Sequence, residues 1–216
     1  MTDANTATDS IWRKIFRKPG AGGGGRAMKT ALVSRYHPLL VTLHWLLAVL
    51  IIAMLCIGLL VLAPMPSTDP HKIGLLLVHM SVGMAILALM LARFIVRMRT
   101  SRPADATTGY PRLDRLAPII HHGFYVLVLP MVGSGYATAI LAGLNKSVFQ
   151  GSGDPLPADF SVYPTFAAHG ALAVLLAGFI VLHVLAALFH QFVLKDGLLR
   201  RVLFGRRGPN SSAQVK

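Results

Sequence analysis

Hydrophobic positions along the chain gather into four long runs, at residues 38 to 63, 72 to 96, 117 to 143 and 164 to 193. Each exceeds the roughly 20 apolar residues a helix needs to cross a hydrocarbon core of about 30 Å, so four transmembrane helices are predicted. Pro118, Pro130, Gly133 and Gly135 interrupt the third run. A kink is expected there rather than an end, because neighbouring helices can satisfy the freed backbone groups. The fold class that follows is all-α, a four-transmembrane-helix bundle.

Composition agrees: 54% of the 216 residues are hydrophobic and 13% charged, and the mean hydropathy is +0.61. A net charge of +13 would suit nucleic acid, but the cations follow topology instead. Of 21 Lys and Arg, seven precede the first run, six lie between Arg93 and Arg115 around the middle connection, and six follow the fourth run. Lys72 and Lys146 alone serve the other two connections. Positive residues stay on the cytoplasmic side, which predicts both termini and the middle loop inside and no nucleic-acid partner.

Three parts follow: a basic extension (1-34), a transmembrane domain (35-204) and a C-terminal tail (205-216). Within the extension, IWRKIFRK is a short basic amphipathic stretch suited to anionic lipid. GAGGGG fits a glycine-rich nucleotide fingerprint literally, yet no strand precedes it, so it reads as a linker. Met28 is a candidate second start. The first run is too long and begins too late for a removable signal peptide. Cys56 is the one cysteine and sits mid-span, which excludes an intrachain disulfide or thiolate metal site.

The nine histidines carry the candidate chemistry. His37 and His71 lie at span edges, where an imidazole is an ordinary interfacial anchor. His44, His79, His169 and His183 lie deeper, where an ionisable group calls for a partner. His169 and His183 are fourteen residues apart, which on a helix means nearly the same face and about 21 Å of rise, too far for one ion. Two centres are implied. Counted from the nearest charged flank, His79 and His169 lie about 15 Å from the outer side, and His44 and His183 about 13 and 18 Å from the inner side. The predicted pairs are therefore His44 with His183 and His79 with His169.

One turn beyond each of these four, on the same face, stands a small residue: Ala48, Gly83, Ala173 and Ala187. A flat macrocycle bound edge-on needs that room, although small residues also favour tight helix packing. His190, followed by Leu194, and His121, followed by Tyr125, fail the same test. Depth alone leaves His190 open as the inner ligand, since it misses the level of His44 by about 6 Å and His183 misses by about 4.5 Å. Two bis-histidine sites in a membrane bundle suit haem, whose iron takes two axial imidazoles. A bare divalent metal would recruit carboxylates, and the chain has no Glu and keeps its eight Asp outside the span interiors. Without a C-x-x-C-H motif the cofactors would be two haem b.

The stretches YHPLLVTLHW, LLLVHMSVGM, HHGFY and AAHGALAVLLAGFIVLHVLAALFHQFVLKDGLLRRV, spread over residues 34 to 204, resemble the bacterial cytochrome b561 family of dihaem inner-membrane proteins. The resemblance implies axial ligation by His44, His79, His169 and His183, electron exchange with ubiquinone and, in some members, oxidation of periplasmic superoxide. The N-terminal extension and the long loop LNKSVFQGSGDPLPADFSVYPT depart from the pattern. His190, His121 and His122 are candidates to meet a haem propionate or a quinone carbonyl or to serve as interfacial anchors, and Arg93, with Arg35 and Arg97, to meet inner propionates or bilayer phosphates. Lys72 and Lys146 are the cations available to an anionic reductant outside. Three function classes stand: a superoxide-to-quinone oxidoreductase, a membrane-anchor cytochrome fed by a redox partner protein, and a histidine-lined metal transporter. A homodimer is compatible with each.

Overall fold

A computed structural model describes residues 35–101, 111–195 and 197–205, with side chains of 111–117 excluded. The basic N-terminal stretch and all but the first residue of the tail lie outside the described residues. Helix α1 spans Pro38–Cys56 and runs on through a π-helical segment, Ile57–Leu62. Helices α2 (Lys72–Arg99), α3 (Pro111–Leu141) and α4 (Pro164–Phe189) follow, α4 being prolonged by π-helical His190–Leu194. A short α5, Leu198–Arg201, closes the described chain, and no strand occurs among the described residues.

All four candidate membrane spans are present: Pro38–Leu62, Lys72–Arg99, Pro118–Leu141 and Pro164–Leu194. The shortest has 24 residues, about 36 Å of helix against a core of about 30 Å. Apolar side chains on their outer faces, such as Leu60, Val126 and Val174, stay exposed, as a lipid-facing surface requires. Local chemistry sets the helix starts. Pro38 and Pro164 stand in the first turns of α1 and α4, where a missing N–H costs nothing. His37 Nδ1 accepts from the Leu39 backbone N–H at 3.2 Å and caps α1. Helix α3 continues through Pro118 and Pro130.

Leu47 of α1, Ile86 and Met90 of α2, Leu127 and Val128 of α3 and Leu176 of α4 form one buried cluster. Leu176 is seven residues from both His169 and His183, two turns from each. The bundle centre is thus an apolar layer with a histidine level on either side.

Four antiparallel spans bring residues 35 and 205 to one end, hereafter the terminal end. Positive φ at Lys195 and Gly197 (52° and 69°) turns the chain after α4, and the returning segment is stitched to the start of α1. Tyr36 N–H donates to the Arg201 carbonyl at 3.2 Å, Trp45 Nε1–H to Val202 at 2.9 Å, and Arg35 Nη1 to Phe204 at 3.1 Å. At the opposite, loop end, Ala139 and three residues of the long loop, Leu144, Val148 and Leu156, form a second buried cluster.

Candidate functional site

Helix register carries the four deep histidines inward as two facing pairs. His44 of α1 and His183 of α4 have ring centres 6.2 Å apart with planes at 71°. His79 of α2 and His169 of α4 have ring centres 6.1 Å apart at 74°. Edge-to-face aromatic pairs occupy the same distance range. So does metal ligation: an ion bonded at about 2 Å to one nitrogen of each ring holds the ring centres roughly 6 Å apart.

The loop-end pair has three further features that fit a cofactor. First, both histidines line a cavity of about 660 Å³ walled mainly by apolar groups, within the roughly 300–1,000 Å³ usual for ligand sites. Gly83 and Ala173, the small neighbours singled out in the sequence, line it too. Second, His169 Nδ1 lies 2.9 Å from the Met131 carbonyl. That contact requires the proton on Nδ1, which leaves Nε2 with its lone pair, the arrangement found for metal-bound histidines. Ser134 Oγ also donates to Met131 O, at 2.9 Å, and stands 3.4 Å from the same Nδ1. Third, His79 Nδ1 is buried with no hydrogen-bond partner, a cost that a group entering the cavity can offset by giving the ring a use.

Glycines on other helices let these rings approach. A Cβ at Gly135 would stand 2.9 Å from His169 Cε1, and one at Gly58 3.2 Å from His79 Cε1. A side chain at 135 would wedge the imidazole away from the Met131 carbonyl. Sequence reasoning missed both glycines as histidine contacts, because the signal lies across helices rather than along one.

The terminal-end pair sits among aromatic groups. Trp45 is 5.3 Å from His44 between ring centres, and His121 and Phe124 are each 5.5 Å from His183. His121 therefore stands beside the pair although its large i+4 neighbour spoke against it. His190 opens the π-helical segment after α4, edge-on to Phe189, while the ring facing His44 is that of His183. His122 Nδ1–H donates to the Pro118 carbonyl of its own helix at 2.7 Å. Arg93 Nη1 donates to the Tyr125 hydroxyl. Its Nε is buried without a partner.

Of the two cations expected on the outer face, Lys146 is exposed, but Lys72 is only 6% exposed. Lys72 Nζ donates to the Met65 carbonyl at 2.6 Å and lies 5.3 Å from the Phe160 ring centre, as part of the cavity wall. Burial under the long loop removes it from the open surface. Among the described residues, no group of three or more His, Cys, Asp or Glu converges in a way that could hold a bare ion.

Comparison with known proteins accords with this geometry. The family model described as prokaryotic cytochrome b561 matches residues 35–205. A probable superoxide oxidase CybB of Yersinia pestis is 32% identical over 180 residues, covering 81% of this chain and 98% of its own. Cytochrome b561 homolog 2 of Escherichia coli (strain K12) is 31% identical over 176 residues, 78% of this chain and 91% of its own. Cytochrome b562 of Cereibacter sphaeroides is 30% identical over 172 residues, with 78% and 94% covered. The chain belongs to the prokaryotic cytochrome b561 family, and is a multi-pass bacterial membrane cytochrome that binds b-type haem and transfers electrons.

Proposed function

We propose that the chain holds two haems b, one between His44 and His183 and one between His79 and His169, and relays electrons across the membrane through them. The observation that supports this is the recurrence of one motif, two imidazoles facing at 6.2 and 6.1 Å, at two levels of a single bundle. A haem held by each histidine pair would supply a one-electron iron couple suited to outer-sphere transfer. The protein does the remaining work. Met131 fixes the tautomer of His169, Leu47, Ile86 and Leu176 keep water out between the levels, and Arg93 with Tyr125 sets the charge beside the terminal-end pair.

The distribution of Lys and Arg supports a cytoplasmic terminal end and a loop end that faces outward, in a bacterial inner membrane. The name of the Yersinia relative supports superoxide as donor, and membership of the family supports a quinone, taken here as ubiquinone, as acceptor. Two superoxide ions each lose one electron and leave as dioxygen, while one ubiquinone takes two electrons and two protons to give ubiquinol. Exposed Lys146 is the loop-end cation placed to attract the anion. His121 and His190 are the terminal-end imidazoles placed to serve a quinone carbonyl or a propionate.

Haem content per chain and reduced-minus-oxidised spectra test the proposal. Two haems per chain are expected. His169→Ala should lose the loop-end haem alone and His44→Ala the terminal-end haem alone. Loss of a haem in His190→Ala but not in His183→Ala would overturn the terminal-end assignment. Superoxide with a quinone analogue should turn over on the isolated chain. Haem that stays oxidised without a partner protein would favour the membrane-anchor role instead.

A further inference from the structure

One cation in the loop-end cavity has no part in the path above. Lys72 lines the same cavity as His79 and His169 and is only 6% exposed. Seven residues separate it from His79, so two turns of α2 place both on nearly one face about 10 Å apart. Its ammonium has three donors and a full charge. The Met65 carbonyl at 2.6 Å and the Phe160 ring at 5.3 Å are its close contacts. Asp69 acts on it only from a distance, and its Oδ1 accepts the His71 backbone N–H at 2.8 Å. Asp159 also lines this cavity, but its carboxyl oxygens are taken up by the Ser161 hydroxyl and backbone N–H, and among the described residues no hydrogen bond joins a carboxylate to Lys72. One carbonyl and one aromatic face under-compensate a buried charge, so whatever fills the cavity is expected to bring an anion to it.

We infer that Lys72 anchors a carboxylate of the haem in this cavity. A porphyrin carries its two carboxylates on one edge, and a cation two turns along α2 from His79 can hold that edge while the imidazole holds the iron. The pairing fixes the macrocycle against rotation about its axial bonds. It also cancels the carboxylate's negative charge near the iron, which favours the reduced state. The inference rests on the two-haem proposal. The same chemistry could serve a diffusible anion such as superoxide, and the test separates the two.

Full-length chain purified with its haems is compared with Lys72→Met, Lys72→Gln, Lys72→Arg and Lys146→Met. The readouts are haem per chain and the midpoint potential of each haem. In Lys72→Met and Lys72→Gln one haem should be partly lost. What remains of it should favour reduction about tenfold less, a potential lower by about 59 mV for a one-electron couple. The other haem should keep its parental potential, which reports that the bundle is folded. Lys72→Arg should restore content and potential, and Lys146→Met should change neither. Gln retains a donor for Met65, so it stands in if Lys72→Met does not fold. Parental content and potentials in the neutral variants would overturn the inference. If the superoxide rate alone then fell, Lys72 would serve the diffusible anion. A parent chain without haem would instead sink the underlying proposal.

Discussion

Gly135→Ala isolates the contact on which the orientation of His169 depends. The added Cβ would lie 2.9 Å from Cε1 and 3.0 Å from Nδ1 of that ring, where an ordinary contact needs roughly half an ångström more. Retreat by that amount stretches the 2.9 Å hydrogen bond to Met131 to the edge of hydrogen-bonding range. Loss of such an orienting bond typically weakens metal binding 10- to 100-fold, about 1.4 to 2.7 kcal/mol. Alanine also favours a helix over glycine by about 1 kcal/mol, so the bundle should not unfold. Two controls grade the effect. Gly58→Ala meets His79 Cε1 at 3.2 Å and should be milder, and Gly133→Ala meets nothing within 4 Å and should be silent. The assay is the rate at which apomyoglobin strips haem from each detergent-solubilised variant, with the two haems resolved by their spectra. Stripping of the loop-end haem should accelerate in the order 133, 58, 135. Equal rates in all three would refute the orienting role of Met131 and Gly135 together.

Two further outcomes follow from the described geometry. Trp45→Phe removes the indole N–H bonded to Val202; at about 0.5 to 1.5 kcal/mol this should speed amide exchange several-fold in 198–204, and unchanged exchange would show that the stitch does not hold that segment. In the long loop the Ser161 hydroxyl and backbone N–H, both bonded to Asp159 at 2.7 Å, hold its carboxyl below the usual carboxylate range. A depressed folded-state pKa means that this local ordering is present above the unfolded carboxylate pKa and is lost as pH falls through the folded value. Ser161→Ala should move the Asp159 midpoint up towards the ordinary range in a carboxyl NMR titration, and an unmoved midpoint would show that Ser161 is not the cause.

The spans were legible because the bilayer imposes a length and an apolar composition on each, and both are local properties of the chain. Expected edges at 38, 72 and 164 coincide with helix starts at Pro38, Lys72 and Pro164. The π-helical continuations at Ile57–Leu62 and His190–Leu194 were not legible. A shift from i→i+4 to i→i+5 bonding leaves the hydrophobic pattern almost unchanged, and packing rather than local preference selects it. The fold-back after Lys195 was equally hidden, since it depends on Trp45 and Arg35 finding carbonyls more than 150 residues away.

The candidate site divides along the same line. Depth, a one-dimensional quantity, was enough to match His44 with His183 and His79 with His169 as facing rings. The i+4 neighbours Gly83 and Ala173 were likewise readable, because residues one turn apart share a face whatever the tertiary structure. Contacts between helices were not readable. His121 failed the neighbour test yet stands 5.5 Å from His183, since that test sees only the room on its own helix. Lys72 shows the cost of the restriction most clearly. Its position at the start of a span marks a surface cation, but Phe160, 88 positions later, covers it. Charge at a span edge therefore predicts exposure poorly, because exposure depends on which distant side chain arrives above each cation.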